Sequence, residues 1–233
     1  MDTTARYAPP ADVDAEIVAP PRLSIGAIYL AARASYGARS GTLVIAALLY
    51  GVALFGGGAL LDSAAARTGD PVATVVVSQL LRAVLGAWLT GGLTRLALAA
   101  ARDEPIVPWM VFMGHASLLP LFLINLVTMV GGGFLLLCLV VPGVLFLLAI
   151  SQANFLAVDR GLGAGEAIGE SLVLTRGHRG QLFWLWLAQA VVILVGLLAL
   201  GIGVLVALPV AQLMSAHAYL QLQALREEES RGC

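Results

Sequence analysis

The chain has 233 residues, 60% of them hydrophobic and only 12% charged, with a mean hydropathy of +0.93 and a formal net charge of −1. A soluble domain carries about 25% charged and 45–50% apolar residues, and a fold of this size leaves too much surface exposed to hide the excess from water. The composition excludes a soluble enzyme, a disordered tail and a disulfide-stapled domain, and the near-zero charge offers nucleic acid no basic field.

In chain order, residues 1–22 carry Pro9, Pro10, Pro20 and Pro21 with four acidic residues and read as a flexible cytoplasmic tail. They lack the basic start and apolar core of a signal peptide. Residues 23–39 place Ile25, Ile28, Tyr29, Ala32 and Tyr36 on one helical face, with Arg33 and Arg39 off it, as an interfacial helix would. A spanning helix needs about 20 apolar residues. Residues 42–61 supply the first, Asp62, Arg67 and Asp70 mark a polar loop, and residues 72–100 supply the second after Pro71. Residues 103–115, with Trp109 and Phe112, form a second interfacial stretch.

Residues 116–158 would measure about 64 Å as one helix, twice the hydrocarbon thickness, so they must fold back. The break is expected between Gly131-Gly132-Gly133 and Pro142-Gly143; the later placement gives spans of about 116–139 and 143–158. Residues 165–180 form a third interfacial stretch. Glu166 stands at its start and Arg176, His178 and Arg179 at its end, which suits the helix dipole. Residues 181–225 fold back near Gly201-Ile202-Gly203 or Pro209, and residues 227–233 are a short tail. The expected fold is an all-α membrane protein with six transmembrane helices over 23–226 and interfacial amphipathic helices. The rhythm points to three parallel hairpin repeats, near 23–101, 102–160 and 161–226.

All 13 basic residues are arginine, which with the Ala, Gly, Leu and Val bias points to a GC-rich bacterial genome. With six spans, eleven arginines share the side of both termini, Arg67 lies opposite and Arg82 lies inside a span. The positive-inside rule then puts both termini on the cytoplasmic side of the inner membrane.

Ionisable groups within spans are functional candidates by default. Arg82 lies about 16 Å along a helix from Pro71, approaching mid-depth if the span starts there. Three readings are open: it reaches outward to Asp62 and Asp70, contacts an anion or lipid phosphate, or ties to Gln79 or a neighbouring carbonyl. Arg176, His178 and Arg179 are the boundary counterpart, donors without a nucleophile. Asn125, Gln152, Asn154, Gln189, Gln212 and His217 are uncharged polar groups that read as helix–helix hydrogen bonding or as a seam along a solute path. Ala47 with Gly51, and Gly86 with Thr90, are expected at close helix approaches. The tryptophans read as interface anchors. Cys138 and Cys233 lack metal or redox spacing, and Cys138 reads as a small buried hydrophobe. No cofactor or metal is expected, and none of the familiar hydrolase, metalloprotease or nucleotide motifs occurs.

The run LLLCLVVPG, the span ending in ANFLAVDRGLG and the segment EAIGESLVLTRGHRGQLF, through Pro142-Gly143, Asp159, Ala167, Ser171 and Leu174-Thr175-Arg176-Gly177, resemble the YciC-like group of uncharacterised bacterial integral membrane proteins. That group is related to the membrane domain of some glycerophosphoryl diester phosphodiesterases. The resemblance implies six spans with interfacial helices and brings no catalytic motif. The expected function is a non-enzymatic inner-membrane scaffold or accessory protein touching anionic lipid, a membrane partner or a second copy. The alternative is a small-solute or anion transporter or channel using Arg82 and the polar seam.

Overall fold

The computed structural model describes residues 23–68, 70–198 and 203–231. The expected tail at 1–22, Gly201-Ile202 of the last predicted turn and Cys233 lie outside them. Among the described residues all regular structure is helical.

Helix α1, Ile25–Ala65, starts at Ser24, whose side chain accepts from the Ala27 N–H. Its 41 residues would measure about 60 Å if straight. The backbone leaves helical geometry at Arg39 (φ −135°, ψ 24°), where the expected interfacial stretch meets the first span. The helix continues through Asp62, so that acid stands on a helix rather than in a loop. A 3-10 turn at Ala66–Thr68 follows. Helix α2, Pro71–Ala101, is capped by the Asp70 carboxylate on the Val72 and Ala73 N–H groups, with proline at the first helical position, where its missing donor costs nothing.

Residues 103–115 do not form the expected amphipathic helix. They make two 3-10 turns, Pro108–Phe112 and Gly114–Ser117, because Pro105 and Pro108 remove N–H donors and bias the residues before them toward extended backbone. The chain then runs through α3 (Leu118–Val127), a π turn (Thr128–Gly132) and α4 (Gly133–Cys138). It is extended at Leu139 (φ −154°, ψ 112°) and returns as α5 (Val140–Ile150). The reversal therefore falls just before Pro142-Gly143, the later of the two expected positions. The glycine triplet stays helical, and a Cβ on Gly131 would lie 3.3 Å from the Phe146 ring, so it admits α5 close alongside. Helix α6 (Ala153–Arg160) ends at Gly161 in the left-handed region (φ 65°). Helices α7 (Ala164–Leu174), α8 (Arg179–Leu198) and α9 (Val204–Arg231) complete the order, with Pro209 inside α9 rather than at a break.

Among the described residues six stretches are long and apolar enough to cross a membrane: Ile25–Ala64, Val72–Ala101, Pro108–Cys138, Val140–Arg160, Arg179–Leu198 and Val204–Glu228. The chain is thus a helical multi-pass membrane protein. Its large buried side chains, such as Ile28, Leu96, Leu213 and Tyr219, gather toward the arginine-rich end, where α1, α2 and α9 meet. The far ends of the hairpins expose Phe55, Leu60, Val72, Leu137 and Val141 instead, as helices solvated by acyl chains do. Cys138 is among the exposed residues. It is the last residue of α4, beside the reversal, and does not fill a core gap, contrary to the expectation.

Close approaches fall on other glycines than expected. Nothing lies within 4 Å of a Cβ built on Gly51 or Gly86. At Gly92 a Cβ would coincide with the Val111 carbonyl, and at Gly114 with the Trp88 carbonyl. These two glycines press the 3-10 turns onto α2, and the Trp88 indole N–H donates to the Phe112 carbonyl (2.9 Å) across the same contact.

Candidate anion-contact site at the arginine-rich end

Helix α5 stops at Ile150 and α6 starts at Ala153, so the Ala149 carbonyl faces a break in its helix. An unpaired carbonyl in hydrocarbon costs several kcal/mol. Helix α7 covers it. The Ser171 hydroxyl donates to the Ala149 oxygen (2.8 Å) and accepts from the Gln152 N–H, and the Thr175 hydroxyl, which donates to the Ser171 carbonyl (2.8 Å), lies 3.2 Å from the same Ala149 oxygen. Ala167, Ser171 and Thr175 are fully buried there.

This joint fixes the turn that follows. The His178 N–H donates to the Thr175 carbonyl, Gly177 takes φ 87°, and α8 begins at Arg179. A side chain at position 177 would be strained by that φ. Arg176 and His178, with Leu222, Leu225 and Arg226 of α9, line a cavity of about 80 Å³. His178 Nδ1 lies 3.0 Å from Gln181 Oε1. Arg179 does not line the cavity, and its Nε is buried without a hydrogen-bond partner. Arg226 is the addition that sequence spacing missed, because it comes from a helix some fifty residues further along.

The charges at this end are unevenly paired. Arg39 reaches Asp103 (3.0 Å), Arg102 reaches Asp159 (2.6 Å), and Glu170 receives both Arg160 (2.8 Å) and Arg226 (3.8 Å). Arg33, Arg95, Arg176 and Arg179 pair with no described carboxylate. Asp159 also accepts from the Tyr219 hydroxyl (2.9 Å), which accepts in turn from Gln223 (2.6 Å). That network joins α2, α6 and α9, and its hydrogen bond holds the Arg102 guanidinium above the usual arginine pKa.

Arg82 stands apart from this cluster. Helix α2 is about 46 Å long, so Arg82 is about 16 Å from Pro71 but about 29 Å from Ala101. Its side chain leans toward the helix N-terminus, as helical side chains do, and its guanidinium grips both carboxylate oxygens of Asp62. Replacing Asp62 by Asn strands that cation. The expected order of thermal midpoints in detergent is wild type, then Asp62→Asn/Arg82→Gln, then Asp62→Asn alone; a double variant no more stable than the single would contradict the pairing.

The expected polar seam is distributed over separate places. Gln189 bonds Ser215 (2.8 Å) and the Ala211 carbonyl between α8 and α9, while His217 meets Ser35 (3.2 Å) between α9 and α1. Gln212 borders a small cavity with Tyr50 and Pro209. Gln152 is buried beside α7, and one side-chain oxygen of Gln152 and of Asn154 lacks a partner. Asn125 shares a cavity with Arg82.

No family model and no solved structure matches the chain. It is 36% identical over 100 residues to the uncharacterized protein Rv2560 of Mycobacterium tuberculosis (strain ATCC 25618 / H37Rv), across 43% of this chain and 30% of that protein. The uncharacterized protein Mb2590 of Mycobacterium bovis (strain ATCC BAA-935 / AF2122/97) is 35% identical over the same shares. The matched stretch thus spans less than a third of these relatives.

Proposed function

We propose that the protein is a non-enzymatic membrane scaffold or accessory protein of the bacterial inner membrane, with its arginine-rich end in the cytoplasm and in contact with anionic headgroups. The observation that carries the reading is the surplus of guanidinium there: Arg33, Arg95, Arg176 and Arg179 face no described carboxylate, whereas Arg82 at the other end is neutralised. A basic side chain near an acidic leaflet contributes about 1 kcal/mol. The free N–H groups at the start of α8 add a dipole of the same sign beside Arg176 and Arg179.

Three hairpins, each preceded by a short segment (the first arm of α1, the paired 3-10 turns and α7), suit a parallel threefold repeat and the YciC-like resemblance. The test is native mass spectrometry of the full chain released from membranes containing phosphatidylglycerol. Arg176→Gln/Arg179→Gln is expected to retain several-fold less phosphatidylglycerol. Equal retention would remove the lipid half of the proposal.

A further inference from the structure

A cavity of about 520 Å³ opens sideways between α2 and α3, far from the arginine-rich turn. That volume is within the range of small-molecule sites. Its α2 wall is made of Ala83, Gly86, Ala87 and Thr90, small residues at helical spacing on one face. Opposite them stand Phe122 and Leu126 of α3 and Met129 of the π turn. The groove exists because Gly86 has nothing to pack against.

Its charged group is placed at one end. Arg82 and Gln79 lie on the side of Pro71, and Asn125 faces from α3. Neither the Gln79 nor the Asn125 amide is hydrogen-bonded to a described residue. An amide left unpaired against hydrocarbon is costly, so a hydrogen-bonding occupant is favoured over a bare alkyl chain. Arg82 gives Nε and Nη2 to Asp62, which leaves Nη1 free. The pair therefore presents an unspent cationic donor beside a carboxylate, the complement of a headgroup carrying a phosphate and an ammonium. From Arg82 to Thr90 the groove runs about 12 Å along α2, toward the bilayer interior.

We infer that this groove holds one zwitterionic phospholipid of the leaflet opposite the arginine-rich end. The phosphate meets Arg82, the ammonium meets Asp62, an ester carbonyl takes the Asn125 amide N–H, and one acyl chain runs past Gly86 and Leu126 to Phe122. The site differs from the proposed anionic contact in leaflet, residues and lipid charge, and each stands or falls without the other.

The experiment is native mass spectrometry of the full chain from nanodiscs holding equal fractions of phosphatidylethanolamine, phosphatidylglycerol and diacylglycerol. In the Arg176→Gln/Arg179→Gln background, which removes the proposed anionic contact, the chain is expected to keep phosphatidylethanolamine at least fivefold above the other two. Gly86→Leu fills the groove from a position whose Cβ meets open space, and is expected to lose that adduct at least fivefold with its thermal midpoint preserved. Asn125→Leu is the second groove variant, read if Gly86→Leu does not fold. Asp62→Asn/Arg82→Gln is expected to erase the preference among the three lipids. Unchanged phosphatidylethanolamine retention in a folded groove variant, or an Arg176→Gln/Arg179→Gln chain indifferent to the three lipids, would overturn the inference.

Discussion

Gly92→Ala is expected to lower stability by about 4 kcal/mol, because a methyl group there occupies the position of the Val111 carbonyl. Overpacking against a flexible side chain is relieved by a rotamer change. Here the obstacle is backbone, and Gly114 presses on Trp88 from the same turn. Relief would separate the 3-10 turns from α2 and break the bond from Trp88 to Phe112. Gly86→Ala has the opposite sign. It removes backbone freedom from a half-buried helical position without a clash, for a gain of about 0.5–1 kcal/mol. Thermal unfolding in one detergent reads both, and a Gly92→Ala midpoint within a degree of wild type would refute the contact.

The second large effect is at the three-helix network. Asp159→Leu leaves Arg102 without its carboxylate and the Tyr219 hydroxyl without its acceptor, although Tyr219 is fully buried. Breaking a buried pair from one side costs about 3–5 kcal/mol. The Arg102 side chain is 36% exposed, so a loss of about 2–3 kcal/mol is expected, or about 5–10 °C in midpoint for a chain of this size. Tyr219→Phe keeps the ring stacked on Phe155 (5.6 Å between centroids) and removes only the hydroxyl. Its expected cost is about 1 kcal/mol. If the two variants melt alike, the network does not join the helices as described.

Much of the architecture is readable in hydropathy, because a span must be long, apolar and closed by polar or helix-breaking residues. The second span, at 72–100, agrees with α2 to a residue at each end. The reversal near Pro142-Gly143 was also visible, since Leu139 precedes the residues that disfavour continued helix. The 3-10 turns were not. Trp109 and Phe112 mark 103–115 as an interfacial stretch, and the two prolines give it 3-10 turns in place of an amphipathic helix. Contacts between distant segments leave no local trace: Tyr219 and Asp159 are 60 positions apart, and nothing near either announces the other. Gly86 and Gly92 look alike in sequence, yet one faces open space and the other backbone. The residues behind the family resemblance prove partly structural. Ser171 and Thr175 cover the Ala149 carbonyl, Ala167 is buried one turn before them, and only Arg176 and His178 continue from them into the candidate site.

The first arm of α1 docks on α9, and Ser35 meets its histidine partner 182 positions later. A ribosome adding about 5–20 residues per second needs roughly 10–40 s to deliver that partner. Throughout that interval α1, whose Ile28 and Ala32 are fully covered in the finished bundle, has α2 and the 3-10 turns to pack on but lacks α9. Biogenesis is therefore most vulnerable at its beginning and resolved only near its end. A stall before residue 217 leaves an inserted hairpin with an undocked, greasy arm, the kind of unfinished surface that membrane quality-control proteases recognise.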